Sequence, residues 1–359
     1  MRMRWFILFA ACTVLHAQEA SSGFELRTTL SASVFDSQEL AQYPRDGSET
    51  SGGFRAMLYP TWKLNQHWTL AGVVQVHSRP YFEEEFSTQG YGVKANLIQL
   101  NLSYARFWSG NRSLIVRVGQ LSSAFGSFSQ RYDSADNPVI GIPSTYGYYY
   151  GEATLLGLAG AQVDATDGNF DARLQFANSS PANPQSIFSR DQYGSWVGGA
   201  GYTIRQGLRI GGSAYYGAYL DRNDPYIFRG NANLRTLPAT GLGLDVEWGW
   251  DHWNAWGEVQ HFKMDYGPIP NFVENAGYAE IRRVLTPRWY AAGRFGYQHH
   301  NLFPGKRTYE FVAGFRATAH QLIKLGYLVQ QGTTYPGAMG NVAQIEFVTT
   351  FRPISLAKD

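Results

Sequence analysis

Residues 243–250, GLDVEWGW, alternate without a break: Leu244, Val246, Trp248 and Trp250 fall on one side of an extended chain, Asp245, Glu247 and Gly249 on the other. Successive side chains of a strand point to opposite faces, so this stretch reads as a strand with one apolar and one polar surface. The same period extends in both directions along the chain. FELRTTLSASV (24–34) sets Phe24, Leu26, Leu30, Ala32 and Val34 against Glu25, Arg27, Thr29 and Ser31. LIQLNLSYA (97–105) sets Ile98, Leu100, Leu102 and Tyr104 against Gln99, Asn101 and Ser103. FDARLQFA (170–177), RWYAAGRFGY (288–297) and YEFVAGFRAT (309–318) follow the same scheme. No stretch sustains a 3.6-residue period, so the chain is all-β.

About sixteen such segments are expected, starting near residues 24, 53, 67, 95, 112, 155, 170, 195, 208, 240, 253, 275, 288, 308, 321 and 341. Their connections alternate in length. Short ones fall at Asn65-Gln66, Ser109 to Asn111, Asp167-Gly168, Arg205 to Gly207, Asp251-His252, Thr286-Pro287 and His320; long ones fall near 35–52, 79–94, 122–154, 179–194, 220–238, 265–274, 300–307 and 332–340. A soluble sandwich has no reason to sort its turns in this way. A transmembrane antiparallel β-barrel does, with tight periplasmic turns and long external loops. An even strand number also leaves both ends of the chain on one side. Trp62, Trp68, Trp108, Trp248, Trp250, Trp253, Trp256 and Trp289 lie close to the short turns. There they read as an interfacial aromatic girdle.

Composition agrees with export to a membrane. MRMRWFILFAACTVLHA (1–17) has Arg2 and Arg4, an apolar run from Trp5 to Leu15, and a small residue at Ala17. That is the pattern of a cleaved signal peptide, its apolar core too short to span a bilayer. FAAC (9–12) also resembles a lipoprotein cleavage site, but the apolar core before Cys12 is very short, so cleavage after Ala17 is expected and 18–359 forms the barrel. The mature chain then has no cysteine, since Cys12 is the only one. The full chain carries 30 Lys+Arg and 28 Asp+Glu. Removal of Arg2 and Arg4 makes the mature chain neutral, which gives no support to a strongly cationic nucleic-acid surface.

If the apolar residues face lipid, their alternates line a lumen. That set includes Arg27, Arg117, Arg173, Arg209, Asp245, Glu247, Glu258, Arg294, Glu310, Arg316 and Lys324. Unpaired charge is costly to bury, so water is expected to reach these groups. Sixteen strands enclose enough space for it, whereas eight would be filled by side chains.

The longest connection, from about Ser122 to Thr154, is the third long one and contains SQRYDSADNPVIGIPSTYGYYYGEA (129–153). In plan the mature chain resembles sixteen-stranded bacterial porins, whose third external loop folds inward and narrows the channel. RVGQLSSAFGSF (117–128), the loop, and GLAGAQVDATDGNFDARLQFA (157–177) are locally similar to phosphate-selective-type porins. The family's anion-selective members carry clustered lysines and an arginine ladder. Here Arg131 is the one basic residue of the loop, beside Asp133, Asp136 and Glu152, so phosphate selectivity does not carry over. VAQIEFVTTF (342–351) resembles the C-terminal assembly signal of outer-membrane barrels, although RPISLAKD follows it.

The resemblance implies a constriction at Arg131, Asp133, Asp136, Tyr146, Tyr148 and Glu152, with Arg117, Arg173 and Arg209 as a basic wall opposite the loop acids. Opposed charges of this kind make a transverse field that favours polar solutes. The tyrosines either narrow the opening or pack the loop against the wall. The expected function is passive diffusion of small hydrophilic solutes or ions across the bacterial outer membrane, by a lipid-embedded homotrimer. The alternatives are a substrate-specific channel for oligosaccharides or small anions, and a non-conducting adhesin or structural barrel. No compact acid–base–nucleophile motif frames Asp133, His77 and Ser127, and His67 and His299-His300 lack metal-ligand spacing. The expectation is therefore no enzyme, no metal and no cofactor.

Overall fold

A computed structural model describes residues 22–37, 50–78, 92–143, 145, 157–178, 194–218, 238–265, 271–301, 305–332 and 340–357. The first strands are β1 (Gly23–Asp36), β2 (Thr50–Lys63), β3 (Trp68–Ser78), β4 (Val93–Trp108) and β5 (Arg112–Leu121). After the third long connection come β6 (Leu158–Asp167), β7 (Phe170–Ala177), β8 (Ser195–Arg205), β9 (Leu208–Ala218), β10 (Pro238–Trp250) and β11 (Trp253–Met264). The ring ends with β12 (Phe272–Val284), β13 (Trp289–His300), β14 (Lys306–Thr318), β15 (Gln321–Gln331) and β16 (Asn341–Ala357). Each strand pairs antiparallel with its sequence neighbours, and β1 pairs β16, closing the barrel. Closure leaves no strand edge unpaired, the condition for a sheet to sit in lipid.

The two faces differ as the period requires. Leu242, Leu244, Val259, Phe311, Ile345 and Trp250 stand exposed on the outside, while Asp245, Glu258, Glu280, Glu310 and Glu346 are turned inward. The short connections include two-residue turns, where Gly168 and Gly207 take positive φ (61° and 83°) and Asp251 does the same (51°). That conformation is what lets so tight a turn join adjacent strands.

Two details, at Ile98 and Trp256, differ from the alternation read in the sequence, and a third, at Pro60, interrupts a ladder without changing it. Between β3 and β4 the register slips at Val73/Val74, opposite Gln99 and Leu97, and the extra residue, Ile98, turns inward and is buried. A bulge of one residue reverses the facing of whatever lies beyond it. Trp256 is not part of the outer girdle: it shares the inward parity of Glu258, and the Arg131 guanidinium lies 4.4 Å from its ring. Pro60 sits inside β2, and the β2–β3 ladder is interrupted there, between Leu58↔Val74 and Thr61↔Ala71, because proline brings no N–H. Residues 1–21, which hold the expected signal, lie outside the described residues, as do Tyr146, Tyr148 and Glu152.

Candidate functional site

Residues 122–143 of the third long connection lie inside the barrel and reach strands on both sides of it. Its first residues are held by the β7–β11 wall. Gln175 Nε2 donates to the Ser122 carbonyl (2.8 Å) and Gln175 Oε1 accepts from the Ala124 amide (3.1 Å). Gly126, at positive φ (70°), donates its N–H to Ser213 Oγ (3.1 Å), and its carbonyl accepts from Arg173 Nη2 (2.7 Å). The Ser127 amide donates to Glu258 (3.2 Å). Phe125 packs on Phe262 and Phe128 meets the edge of Tyr278.

A short 3-10 turn, Phe128–Arg131, then brings the chain to the centre. Arg131 binds Glu280 of β12 and donates to Tyr278 Oη (3.0 Å). The very next residue reaches the other side. The Tyr132 carbonyl accepts from Arg55 of β2 (3.2 Å) and its hydroxyl donates to Gln75 of β3 (2.8 Å). Strands β3 and β11, which bears Trp256, lie half-way round the ring from each other. Two consecutive residues therefore strut the barrel across its width.

From there the chain packs down onto β12–β16. Asp133 accepts from the Tyr59 hydroxyl, and Ser134 Oγ lies between Arg55 (2.6 Å) and Glu346 (2.7 Å). Lys324 is fully buried, 2.8 Å from Glu346, and donates to the carbonyls of Ser134, Asn137 and Val139 (2.7, 2.8 and 3.0 Å). Arg294 bonds Glu280 (2.7 Å), the Gly141 carbonyl (2.7 Å) and Asn137 Oδ1 (2.9 Å). Glu310 accepts from the Ile140 and Gly141 amides (both 2.9 Å). Around these ions Val139 fills an apolar patch of Tyr290, Ala292, Val312, Leu322 and Val348. These are inward positions a water-filled lumen would not need, and they form a seat for the loop.

This corrects the expectation that water reaches all the inner charges. Asp245, Glu258, Arg294, Glu310 and Lys324 are buried, each satisfied by a counter-charge or by loop backbone. Burying ions is tolerable here because Asp245, Arg294, Glu310 and Lys324 each have a counter-charge within range and Glu258 accepts from Ser127. Arg131 and Asp133 are buried too, while Asp136 is half-buried. Arg316 keeps its inward position near the short turns and is exposed.

The opposite wall stays partly open. Arg117, Arg173, Arg209 and Glu247 are half-buried. The anticipated arrangement, arginines facing loop acids, differs from what forms. Arg117 pairs with Asp164 of the adjacent strand, and Arg209 is clamped between Asp171 (2.6 Å) and Asp245 (2.7 Å). The wall neutralises itself, since neighbouring strands place acid beside base at hydrogen-bond range. Arg55, Glu280, Glu346, Asp164 and Asp171 also face inward, and the alternation of their strands carries that signal. Among the described residues no group of His, Cys, Asp and Glu has the arrangement of a metal site.

Neither protein-family models nor curated proteins match the chain. Solved structures do. The barrel is similar to that of OprB from Pseudomonas putida in its high-pH structure, at TM-score 0.63 and 11% identity over 92% of this chain and 94% of that one. OmpF of Salmonella typhi, in complex with daunomycin, aligns at TM-score 0.62 and 9% identity over 91% and 97%. An anion-selective porin from Comamonas acidovorans aligns at 0.60 and 11% over 93% and 100%. The chain therefore has the closed sixteen-strand architecture of outer-membrane porins, and at these identities the likeness is one of fold.

Proposed function

We propose that this chain is an outer-membrane porin. It passes small hydrophilic solutes and ions by diffusion through a passage beside the loop, along the half-buried Arg117, Arg173, Arg209 and Glu247 of the β5–β10 wall. Residues 1–17 act as its cleaved export signal, and it assembles as a trimer. The observation that carries the reading is the loop strut at Arg131-Tyr132, which joins opposite walls and fills one side of the lumen while the polar β5–β10 wall remains partly open. Self-paired arginines favour weak ion selectivity, because Arg117 and Arg209 each have a fixed negative charge at hydrogen-bond range, while Arg173 donates to the Gly126 carbonyl. The same pairing argues against a phosphate-specific site. Tyr146, Tyr148 and Glu152 belong to the loop and are proposed to complete the constriction.

Purified protein added to a planar bilayer should open stepwise ohmic channels with a cation-to-anion permeability ratio near unity. Removing the wall acids (Asp164→Asn with Asp171→Asn) should move the reversal potential in a salt gradient toward anion preference. Protein that inserts but never conducts would overturn the porin reading.

A further inference from the structure

In its long-loop half the outward face is apolar over most of its area, with one basic departure, whereas Arg106 and Arg283 face outward beside the short turns. Reading up β13 from its short turn, the outward residues are Trp289, Ala291, Gly293, Phe295, Tyr297 and His299; down β14 they are Arg307, Tyr309, Phe311, Ala313 and Phe315. On β11 the last outward residues are Val259, His261 and Lys263, and on β12 Asn275 stands beside them. The register makes these one patch: His261 faces Asn275, Asn275 faces His299, and Tyr297 faces Arg307. His261, Lys263, Asn275, His299 and Arg307 are all exposed. Among the described residues they include every outward lysine, arginine and histidine in the long-loop half of the wall.

Phenylalanine gives way to tyrosine and then to a cationic cluster within a few residues. That is the order of a wall passing from hydrocarbon through the interface to headgroups. The cations are not consumed by the protein. Among the described residues no ion pair uses Lys263 or Arg307, and Glu274 of β12 points inward and is buried. The nearby carboxylate is Asp265, whose amide donates to the Pro238 carbonyl. The two connections flanking the patch add no charge: 266–270 reads YGPIP and 302–304 reads LFP. They belong to the two shortest connections at that end.

We infer that this patch on β11–β14 binds a phosphate-bearing lipid headgroup of the leaflet around the long-loop end. Lys263 and Arg307 supply the charge; His299, the Asn275 amide nitrogen and His261 Nε2 supply donors, since His261 Nδ1 and Asn275 Oδ1 are engaged with each other (2.8 Å). The inference rests on the membrane-barrel reading above. A lipid is favoured over a second copy of the chain by charge. Among the described residues the outward face of the same half offers, besides Asp265 at the patch, Asp36 on β1, itself bonded to Thr50 (2.7 Å), and no acidic cluster that would match the patch. Phosphate oxygens accept charge-assisted hydrogen bonds from such groups, and basic residues at a membrane surface attract anionic lipid.

The test uses the full protein refolded in detergent, first shown to be a heat-modifiable barrel, with diphosphorylated lipid A as the probe in native mass spectrometry. Failure to form the barrel would count against the membrane reading itself. Given a barrel, the wild type should retain the diphosphorylated lipid over its dephosphorylated form. Lys263→Gln with Arg307→Gln should bind it roughly 30-fold more weakly, a loss of about 2 kcal/mol. The exchange Lys263→Arg with Arg307→Lys should preserve binding. Equal retention of the two lipid forms, or unchanged binding in the Gln pair, would overturn the inference. So would millimolar inorganic phosphate displacing the lipid completely, or a Gln pair that alters only the oligomeric state.

Discussion

Lys324 shows why the inner charges are structural. Its ammonium is withdrawn from water and holds three loop carbonyls and Glu346 at once. Lys324→Met would orphan those carbonyls and leave the Glu346 carboxylate buried without its cation. Breaking a buried pair from one side costs roughly 3–5 kcal/mol, so the urea midpoint should fall and single-channel current should become noisy. Adding Glu346→Met should recover part of the loss. Equal stability of the single variant and wild type would show the loop is not fastened there. Asp136, in the loop, offers a pH test. Desolvation, and then its neighbour Asp133, push its carboxyl above the ordinary aspartate range, against the pull of Arg27 and Lys324. A raised folded-state value means the contribution to stability is complete below the ordinary aspartate value and is lost as pH rises through the raised one. The stability of wild type relative to Asp136→Asn should therefore decline from about pH 4 upward. A difference that is flat with pH would place the carboxyl in water.

Elements differ in how visible they were beforehand. The sixteen strands follow from period two and from turn residues, and their observed starts lie within three residues of those expected from the sequence. The third connection stood out by its length. Its path did not, because Arg131–Glu280, Ser134–Glu346 and Tyr59–Asp133 join residues 149, 212 and 74 positions apart. Nothing local encodes such partners. Ile98 escaped for a different reason: a single inserted residue leaves no mark on composition. At this scale the expected experiment is excision of residues 129–141 with a Gly-Ser link. Conductance should rise at least about two-fold, since a barrel of this strand number is wide enough for an aqueous channel once unobstructed. An unchanged conductance would mean that the loop does not set the narrowest point.

At the scale of the whole barrel, which face meets lipid decides everything else. Leu244, outward on β10 and 64% exposed, sits near mid-height, one residue from buried Asp245. Leu244→Arg should lower folding stability in phospholipid vesicles by about 2–4 kcal/mol, the cost of a cation at the midplane. An arginine accepted there without loss would mean that this wall does not face hydrocarbon. The sequence alone determined the all-β architecture, the strand number, the sorting of short and long connections, and which residues alternate inward. Those are properties of the chain over ten residues or fewer, fixed by the pleat and by turn stereochemistry. Only the tertiary structure decided that the third connection struts the lumen from β12 to β2, that one inner wall is a dry seat for it, and that the other neutralises its own arginines. Each of those depends on strands brought side by side by closure of the ring, where burial and pairing are set by neighbours far away in sequence.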